Sequence, residues 1–513
     1  MASETERRLI VTIGRPGGHE GAGVARTPDG LRFTGLAPHL AALVRATAER
    51  VPGAEAIVDL GTGRRLDYAG LWEAALRVAG GLAAQGVDPG DRVAIRLPNG
   101  AAWCLAFLGS VLAGAVPVPV NTRLAPEEAE FVVRDSGAVL VLADPAALPD
   151  GPPPKAPEPS SEEPAAIFYT SGTTGRPKGA VLSHRALLSA AEQCRLSLGL
   201  GREEPIRCLV AAPLFHILAC GMQLIPALAA GGAAVIMPAF EVGAWLAAIR
   251  DERIDVLNGV PAMYWQALRH PGFGDLDVSR IRLLSYGAAP TPPTQVRELL
   301  QAFPVARMVS GCGLTEAPCV TGLPHEDAVD HADSVGTAVA ATELALLGPE
   351  AEQGVGQLLV RGPQVMSGYW RRPDATAEAL RDGWLHTGDL VSVDGAGRVR
   401  ILDRRTDLIN RGGENVYSVE VERVLAAHPP VAEAAVVGVP DAMMGQKVGA
   451  VVVPRPGETV EPGELVRFAR ERLADFKVPQ YVVVQDEPLP RNPAGKVDKA
   501  ALRSRSQWGD ALR

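Results

Sequence analysis

Apolar positions along this chain recur with two spacings, one of about four residues and one of short unbroken runs, and the two alternate. Leu40, Leu43, Val44 and Ala48 share one helical stripe, and AIVDLGTGRRLDY then reads as strand, turn and strand, with an amphipathic helix from Tyr68. Buried-strand runs follow in GDRVAIRLPNG (90–100), VLAGAVPVPVN (111–121) and the AAIF before Tyr169. After Tyr169 come a glycine-rich loop and a helix capped by Ser183, which carries Leu187, Ala191, Cys194 and Leu198 on one face and ends at Gly199 and Gly201. DVLNGV (255–260) predicts a strand before Pro261 and a helix, and LLSYGAAP (283–290) a strand running into a glycine turn. Near the C-terminus, VAEAAVVGVP and VGAVVVP are strand-like and ELVRFARERLADF is helical. The alternation predicts a layered α/β chain followed by a small α+β unit.

Three stretches depart from this rhythm. Residues 208–240 contain no Asp, Glu, Lys or Arg, which raises a membrane span; Pro213, Pro226, Pro238 and the Gly231-Gly232 pair break it into a buried strand, helix and strand instead. Residues 144–164, rich in Pro, Ala, Glu and Ser, predict a simple connecting loop. The first thirty residues have no apolar core fit for a signal peptide and predict a loosely packed lead-in.

Composition narrows the function. With 47% hydrophobic and 21% charged residues, the chain has the make-up of a folded enzyme. Its net charge of −9, with no basic block, argues against a nucleic-acid partner. The six cysteines are scattered without a CxxC pair, which predicts free thiols in a reducing cytoplasm.

The chemistry concentrates in YTSGTTGRPKGAVLSH (169–184). Thr170, Ser171, Thr173 and Thr174 offer hydroxyls, Gly172, Gly175 and Gly179 let backbone N–H groups approach an anion, and Lys178 adds charge. These are the needs of a bound polyphosphate, although no Walker A pattern occurs. In LLSYGAAP, the main chain of Gly287, Ala288 and Ala289 suits a flat base. In SGCGLTEA (310–317), Thr315 can donate to a phosphate and Glu316 supplies a hard oxygen for Mg²⁺. Asp389, at a strand end in GWLHTGDL, suits two ribose hydroxyls. His216 in PLFH reads, from its apolar neighbours alone, as a packing histidine, and Lys496 in PLPRNPAGKVDK as a solvated lysine.

In this order, from about residue 36 to residue 502, the motifs resemble those of the adenylate-forming superfamily of acyl-CoA and aryl-CoA synthetases, luciferases and peptide-synthetase adenylation domains. The resemblance implies a large N-terminal domain of several subdomains, 1–405, with layered sheets and helices. It also implies a small mobile α+β C-terminal domain, 406–513, hinged at Thr406. It implies Lys496, Thr174 and Glu316 as catalytic groups, with Glu316 on the metal. Nucleotide contacts would come from 170–174, Lys178, Gly287, Ala288, Ala289, Gly311, Cys312, Gly313, Thr315, Asp389 and Arg404. His216, Ala219, Gly221, Tyr286 and Gly287 would form the acyl pocket, and Gly412 and Gly413 the thiolation loop. Two positions depart from the family: Cys312 replaces a common tyrosine, and Thr406 replaces Asp or Lys.

The activity so implied uses ATP, Mg²⁺ and CoA. A small-molecule carboxylic acid becomes an acyl-adenylate with release of pyrophosphate, then an acyl-CoA. One alternative is an enzyme that stops at acyl-AMP or hands it to a carrier protein or second ligase. Another is an inactive nucleotide-binding scaffold, against which Lys178, Glu316, Asp389 and Lys496 all count. No motif specifies the acid or the oligomeric state.

Overall fold

The computed structural model describes residues 10–13, 23–28, 30–154, 158–170, 177–287, 291, 293–404, 406–411, 414–441, 443–492, 495–509 and 511–512. Its centre is a nine-stranded sheet in the order Thr337–Ala338, Thr321–Leu323, Arg307–Cys312, Leu283–Gly287, Val256–Gly259, Arg207–Val210, Ala233–Ile236, Glu55–Asp59 and Arg65–Asp67. The six inner strands are parallel and the outer pairings antiparallel. Successive residues of each inner strand serve opposite cores: Val210, Ile236, Val256 and Leu283 belong to one, and Leu209, Val235, Leu257 and Leu284 to the other. A sheet covered on both faces needs unbroken apolar strands, which is why these runs lack alternation.

Two three-stranded sheets lie beside it. One is parallel, with Arg92–Ile95 between Val116–Pro119 and Ala138–Leu142; the other sets the hairpin of Pro164–Thr170 and Lys178–Ser183 against Gly368–Tyr369. A six-stranded antiparallel sheet holds Trp384–Val393 and, paired with it, Val399–Arg404. The next strand, Ile409–Arg411, already belongs to a separate five-stranded sheet with Glu414–Val416, Gly445–Pro454, Val431–Asp441 and Tyr481–Val484. That sheet has its own core, including Val421 and Leu425 of helix Ser418–Ala426 and Leu465 of helix Pro462–Arg470.

Residues 208–240 fold as strand, helix and strand, and among the described residues no helix is long and apolar enough to cross a membrane. Their helical part is irregular. Ile217–Ala219 passes through a π-turn, Cys220–Leu224, in which the Ile225 N–H reaches back to the Cys220 carbonyl, and continues as Ile225–Ala230.

Two expectations need correction. The loop after Thr170 does not lead directly into a helix: Lys178–Ser183 is a second strand, because Ala180, Val181 and Leu182 are buried and pair with 166–168. The helix starts only at His184, where Ser183 Oγ accepts the Ala186 N–H at 3.1 Å as anticipated. The lead-in is also partly ordered, since Ile10–Ile13 forms the edge of the six-stranded sheet against Glu343–Leu347, and Val24–Thr27 pairs with Gly30–Phe33. The proline-rich connection is the loop expected, and it packs closely on helix Tyr68–Ala84. A Cβ on Gly80 would lie 2.0 Å from the Pro152 carbonyl oxygen, and one on Gly81 2.2 Å from the Asp150 nitrogen, while Arg77 pairs with Asp150.

Candidate active site

The parallel strands Leu283–Gly287 and Arg307–Cys312 end side by side. Tyr286 pairs with Ser310 and Gly287 with Gly311, and a Cβ on Gly287 would stand 2.5 Å from the Gly311 oxygen, so this rung must stay bare backbone. Cys312 ends the neighbouring strand, paired with Thr321, and Gly313 follows it at the surface. Burial, and then Asp389, push the Cys312 thiol up to about 12, so it stays protonated. A tight turn, closed by backbone bonds between Leu314 and Ala317, carries the half-buried Thr315 and Glu316.

Glu316 joins this turn to the sheet that holds the hairpin of Pro164–Thr170 and Lys178–Ser183. Its Oε1 accepts the Tyr369 hydroxyl at 2.7 Å, and its carbonyl accepts the Met366 N–H at 2.8 Å. Tyr369 pairs with Ala180, and the Lys178 ammonium lies 5.3 Å from the centre of its ring. Burial and the Glu316 charge hold the Tyr369 phenol protonated. Tyr369 carries no motif of its own, and nothing along the chain ties it to Ala180 or to Glu316. Thr170 sits at the mouth of the hairpin as the register partner of Lys178. Ser171, Gly172, Thr173, Thr174, Ala288, Ala289, Gly412 and Gly413 lie outside the described residues.

Asp389 is not at a strand end as anticipated. It lies inside the ten-residue strand Trp384–Val393, where the ladder slips against both neighbours: between Gln357 and Leu359 on one side, and between Leu390 and Val391 on the other. Such slips re-aim side chains locally. Arg404 stands opposite, with Nε 2.9 Å from Asp389 Oδ1. Burial pushes the Asp389 carboxyl up, and Arg404 and Lys496 pull it back.

Lys496 comes from the far end of the chain, on a turn in which the Asn492 N–H meets its carbonyl at 2.8 Å and its own N–H meets Asn492 Oδ1 at 3.1 Å. The charges of Arg404, Asp389 and Glu316 all act on it. Its surface remains well exposed, yet the surrounding protein, and next Arg404, hold its pKa below the ordinary 10.5. Lys496 thus carries an ammonium open to solvent and surrounded by other charged groups. His216 feels the same ammonium. Burial, then Arg123 and Lys496, lower it to about 4, so its ring is neutral at pH 7, packed edge-on to Phe215 at 4.7 Å. Just beyond it, Ala219 and Gly221 are buried, and the room for a Cβ on Gly221 is taken by the Ile217 side chain at 2.8 Å. Thr406 is an exposed turn residue whose carbonyl accepts from Arg503 at 3.4 Å.

Among the described residues no three His, Cys, Asp or Glu side chains gather as a metal nest. Glu316, with one oxygen on Tyr369 and the other free of any protein donor described, suits a magnesium ion held mainly by phosphate oxygens and water.

The AMP-binding enzyme family matches residues 44–370, and the AMP-binding enzyme C-terminal domain matches residues 420–496. A feruloyl-CoA synthase of an Amycolatopsis species is 40% identical over 483 residues, covering 89% of this chain and 97% of its own. A long-chain-fatty-acid–CoA ligase of Mycobacterium tuberculosis is 35% identical over 496 residues, covering 90% and 97%. The solved o-succinylbenzoate CoA synthetase of Bacillus subtilis, in complex with its acyl-adenylate intermediate, superposes with a TM-score of 0.80 at 30% identity, covering 92% of this chain and 98% of that one.

Proposed function

The chain belongs to the AMP-binding enzyme family, and on that premise we propose that it is an AMP-forming acid–CoA ligase for an aryl, alicyclic or fatty acid. What supports this reading is the Asp389–Arg404 pair at 2.9 Å, with the charges of both, and of Glu316, reaching Lys496 from the far end of the chain.

ATP and a carboxylate repel one another, so attack on the α-phosphorus needs fixed positive charge and donors at the place where negative charge develops. Thr170 and Lys178, with Ser171, Gly172, Thr173 and Thr174 between them, hold the β- and γ-phosphates. Gly287, Ala288, Ala289, Gly311, Cys312 and Gly313 border the adenine, Thr315 donates to a phosphate oxygen, and Asp389, oriented by Arg404, accepts the ribose hydroxyls. Mg²⁺, when bound at Glu316, offsets phosphate charge. Lys496 aligns the carboxylate: its oxygen bonds to the α-phosphorus as the bond to pyrophosphate breaks, and the ammonium balances the charge on the equatorial oxygens. Neutral His216, with Ala219, Gly221 and Tyr286, walls the acyl group without adding charge.

The chain divides into 1–405 and 406–513, with Thr406 as the hinge. Turning there withdraws Lys496 and brings up Gly412 and Gly413. The CoA thiol then attacks the acyl carbonyl, the carbon–sulfur bond forms, and AMP leaves.

The test is pyrophosphate release with Mg-ATP across aromatic, alicyclic and fatty acids, with and without CoA, with mass spectrometry of the products. The expected result is pyrophosphate and an acyl-CoA from one acid class. Acyl-AMP accumulating in the presence of CoA would assign the transfer to a partner thiol such as a carrier protein, and silence with every acid would end the reading.

A further inference from the structure

Asp403 stands one residue before Arg404 and three before Thr406, with 2% of its surface exposed. Its carboxylate reaches past the hinge. It accepts the backbone N–H of Ser418, and its Oδ1 also accepts the Ser418 hydroxyl at 3.1 Å and the Arg404 N–H at 2.7 Å. Ser418 opens the helix Ser418–Ala426, and the residue before it, Tyr417, provides no side-chain acceptor for the first N–H groups. A carboxylate there completes the missing hydrogen bonding and suits the helix dipole. The cap of this small-domain helix thus comes from the last strand before the hinge.

The contact continues to the catalytic turn. Lys499 Nζ donates to Ser418 Oγ at 2.6 Å and pairs with Glu422 Oε1 at 2.7 Å, which also accepts the Val436 N–H at 2.8 Å. Burial pushes up both the Asp403 and Glu422 carboxyls, and Lys499 is the first charge opposing it at each. Lys499 also opens the helix Lys499–Arg505, three residues after Lys496. Further along that helix, Arg503 pairs with Asp407 at 2.6 Å and donates to the Thr406 carbonyl at 3.4 Å. One short helix therefore holds the hinge turn and the buried Asp403–Ser418 pair, and carries the Lys496 turn at its front.

We propose that Asp403, Ser418 and Lys499 form a latch that holds the small domain in the orientation presenting Lys496, making Asp403 and Lys499 positioning residues for the adenylation step. The proposal rests on the hinge at Thr406 and on Lys496 as the adenylation lysine. Asp403 and Ser418 lie on opposite sides of Thr406, so turning there separates them and uncaps the helix. The adenylating orientation keeps the cap and the other loses it.

The test compares full-length Asp403→Ala, Lys499→Met, their double variant, Asp403→Asn and Lys499→Arg in two assays: pyrophosphate release with Mg-ATP, and thioester formation from supplied acyl-adenylate and CoA. Loss of a cap and its charged hydrogen bonds predicts about a tenfold fall in kcat for pyrophosphate release in each disabling single variant. KM for ATP should stay within about twofold and the thioester step should be unchanged. The double variant should be no slower than either single one, because both disable one device. Asp403→Asn, which keeps an acceptor for the Ser418 N–H, and Lys499→Arg, which keeps the charge, should retain most activity.

Equal losses in both assays, a rise in KM for ATP alone, or additive effects in the double variant would overturn the latch. Lys496→Ala tests the underlying reading separately: if it slows both assays equally, the two-orientation account fails whatever Asp403 does, and if it slows only pyrophosphate release while Asp403→Ala does not, only the latch fails. Melting curves of each variant establish folding. Should Asp403→Ala not fold, Ser418→Ala removes only the hydroxyl linking Asp403 to Lys499 and carries the same test.

Discussion

Asp389 and Arg404 face each other across one antiparallel rung, joined Oδ1 to Nε at 2.9 Å. The carboxylate is nearly buried while the guanidinium stays partly in water, so the arginine orients a group that would otherwise have no fixed partner for its charge. Asp389→Asn should therefore raise KM for ATP by about tenfold to a hundredfold, the effect of removing a charged hydrogen bond. Arg404→Lys should do less than Arg404→Ala, and steady-state pyrophosphate assays over a range of ATP concentrations measure both.

Lys496→Ala should cut adenylation by at least ~10²-fold, as loss of a preorganised charge contact does. Thiolation of supplied acyl-adenylate should be largely spared. Rapid-quench measurement of each half-reaction separates the two.

The lowered pKa of Lys496 sets a pH limit with a definite sign. Its ammonium is present below its pKa and lost above it, so kcat/KM for pyrophosphate release should fall as pH rises through a value below the ordinary 10.5. Lys496→Arg, which stays charged, should move that limb upward. His216, at about 4, is already neutral through the range where histidines usually titrate, so no limb should appear there.

Glu316 shares its carboxylate between Tyr369 and the proposed metal position. Chelation of divalent ions should abolish pyrophosphate release. Glu316→Gln should slow it most when Mg²⁺ is limiting and recover in part with excess, while Tyr369→Phe should cost less than tenfold. Titration with Mg²⁺ at fixed ATP distinguishes these outcomes.

Gly80→Ala tests the packing of the proline-rich connection on helix Tyr68–Ala84. Its new Cβ would strike the Pro152 carbonyl, so stability should drop by about 1–3 kcal/mol, the usual result of overpacking. Thermal unfolding should register it, and activity per folded molecule should stay the same.

The layered α/β plan was legible because sheets buried on two faces write apolar runs, and the family was legible because its motifs are short and linear. What escaped depends on pairing between distant segments. Lys178–Ser183 is a strand because Pro164–Thr170 lies beside it, a fact absent from its own residues. Asp389 is aimed by slips in two ladders, and Tyr369 becomes part of the site only through Ala180 and Glu316. The glycines of 144–164 and of helix Tyr68–Ala84 gave no sign of one another, since their close approach is a property of the packed pair.

The π-turn at Cys220–Leu224 holds one residue more than an α-helical turn needs. Removing a single codon there would let the backbone close as an ordinary helix, because the widened turn absorbs the extra residue and leaves its two flanks in phase. His216 and Ile225–Ala230 would keep their mutual rotation, and only the extra width of the turn between them would go. This wall of the proposed acyl pocket can thus be reshaped by a change of length, a route that substitution of its side chains does not offer.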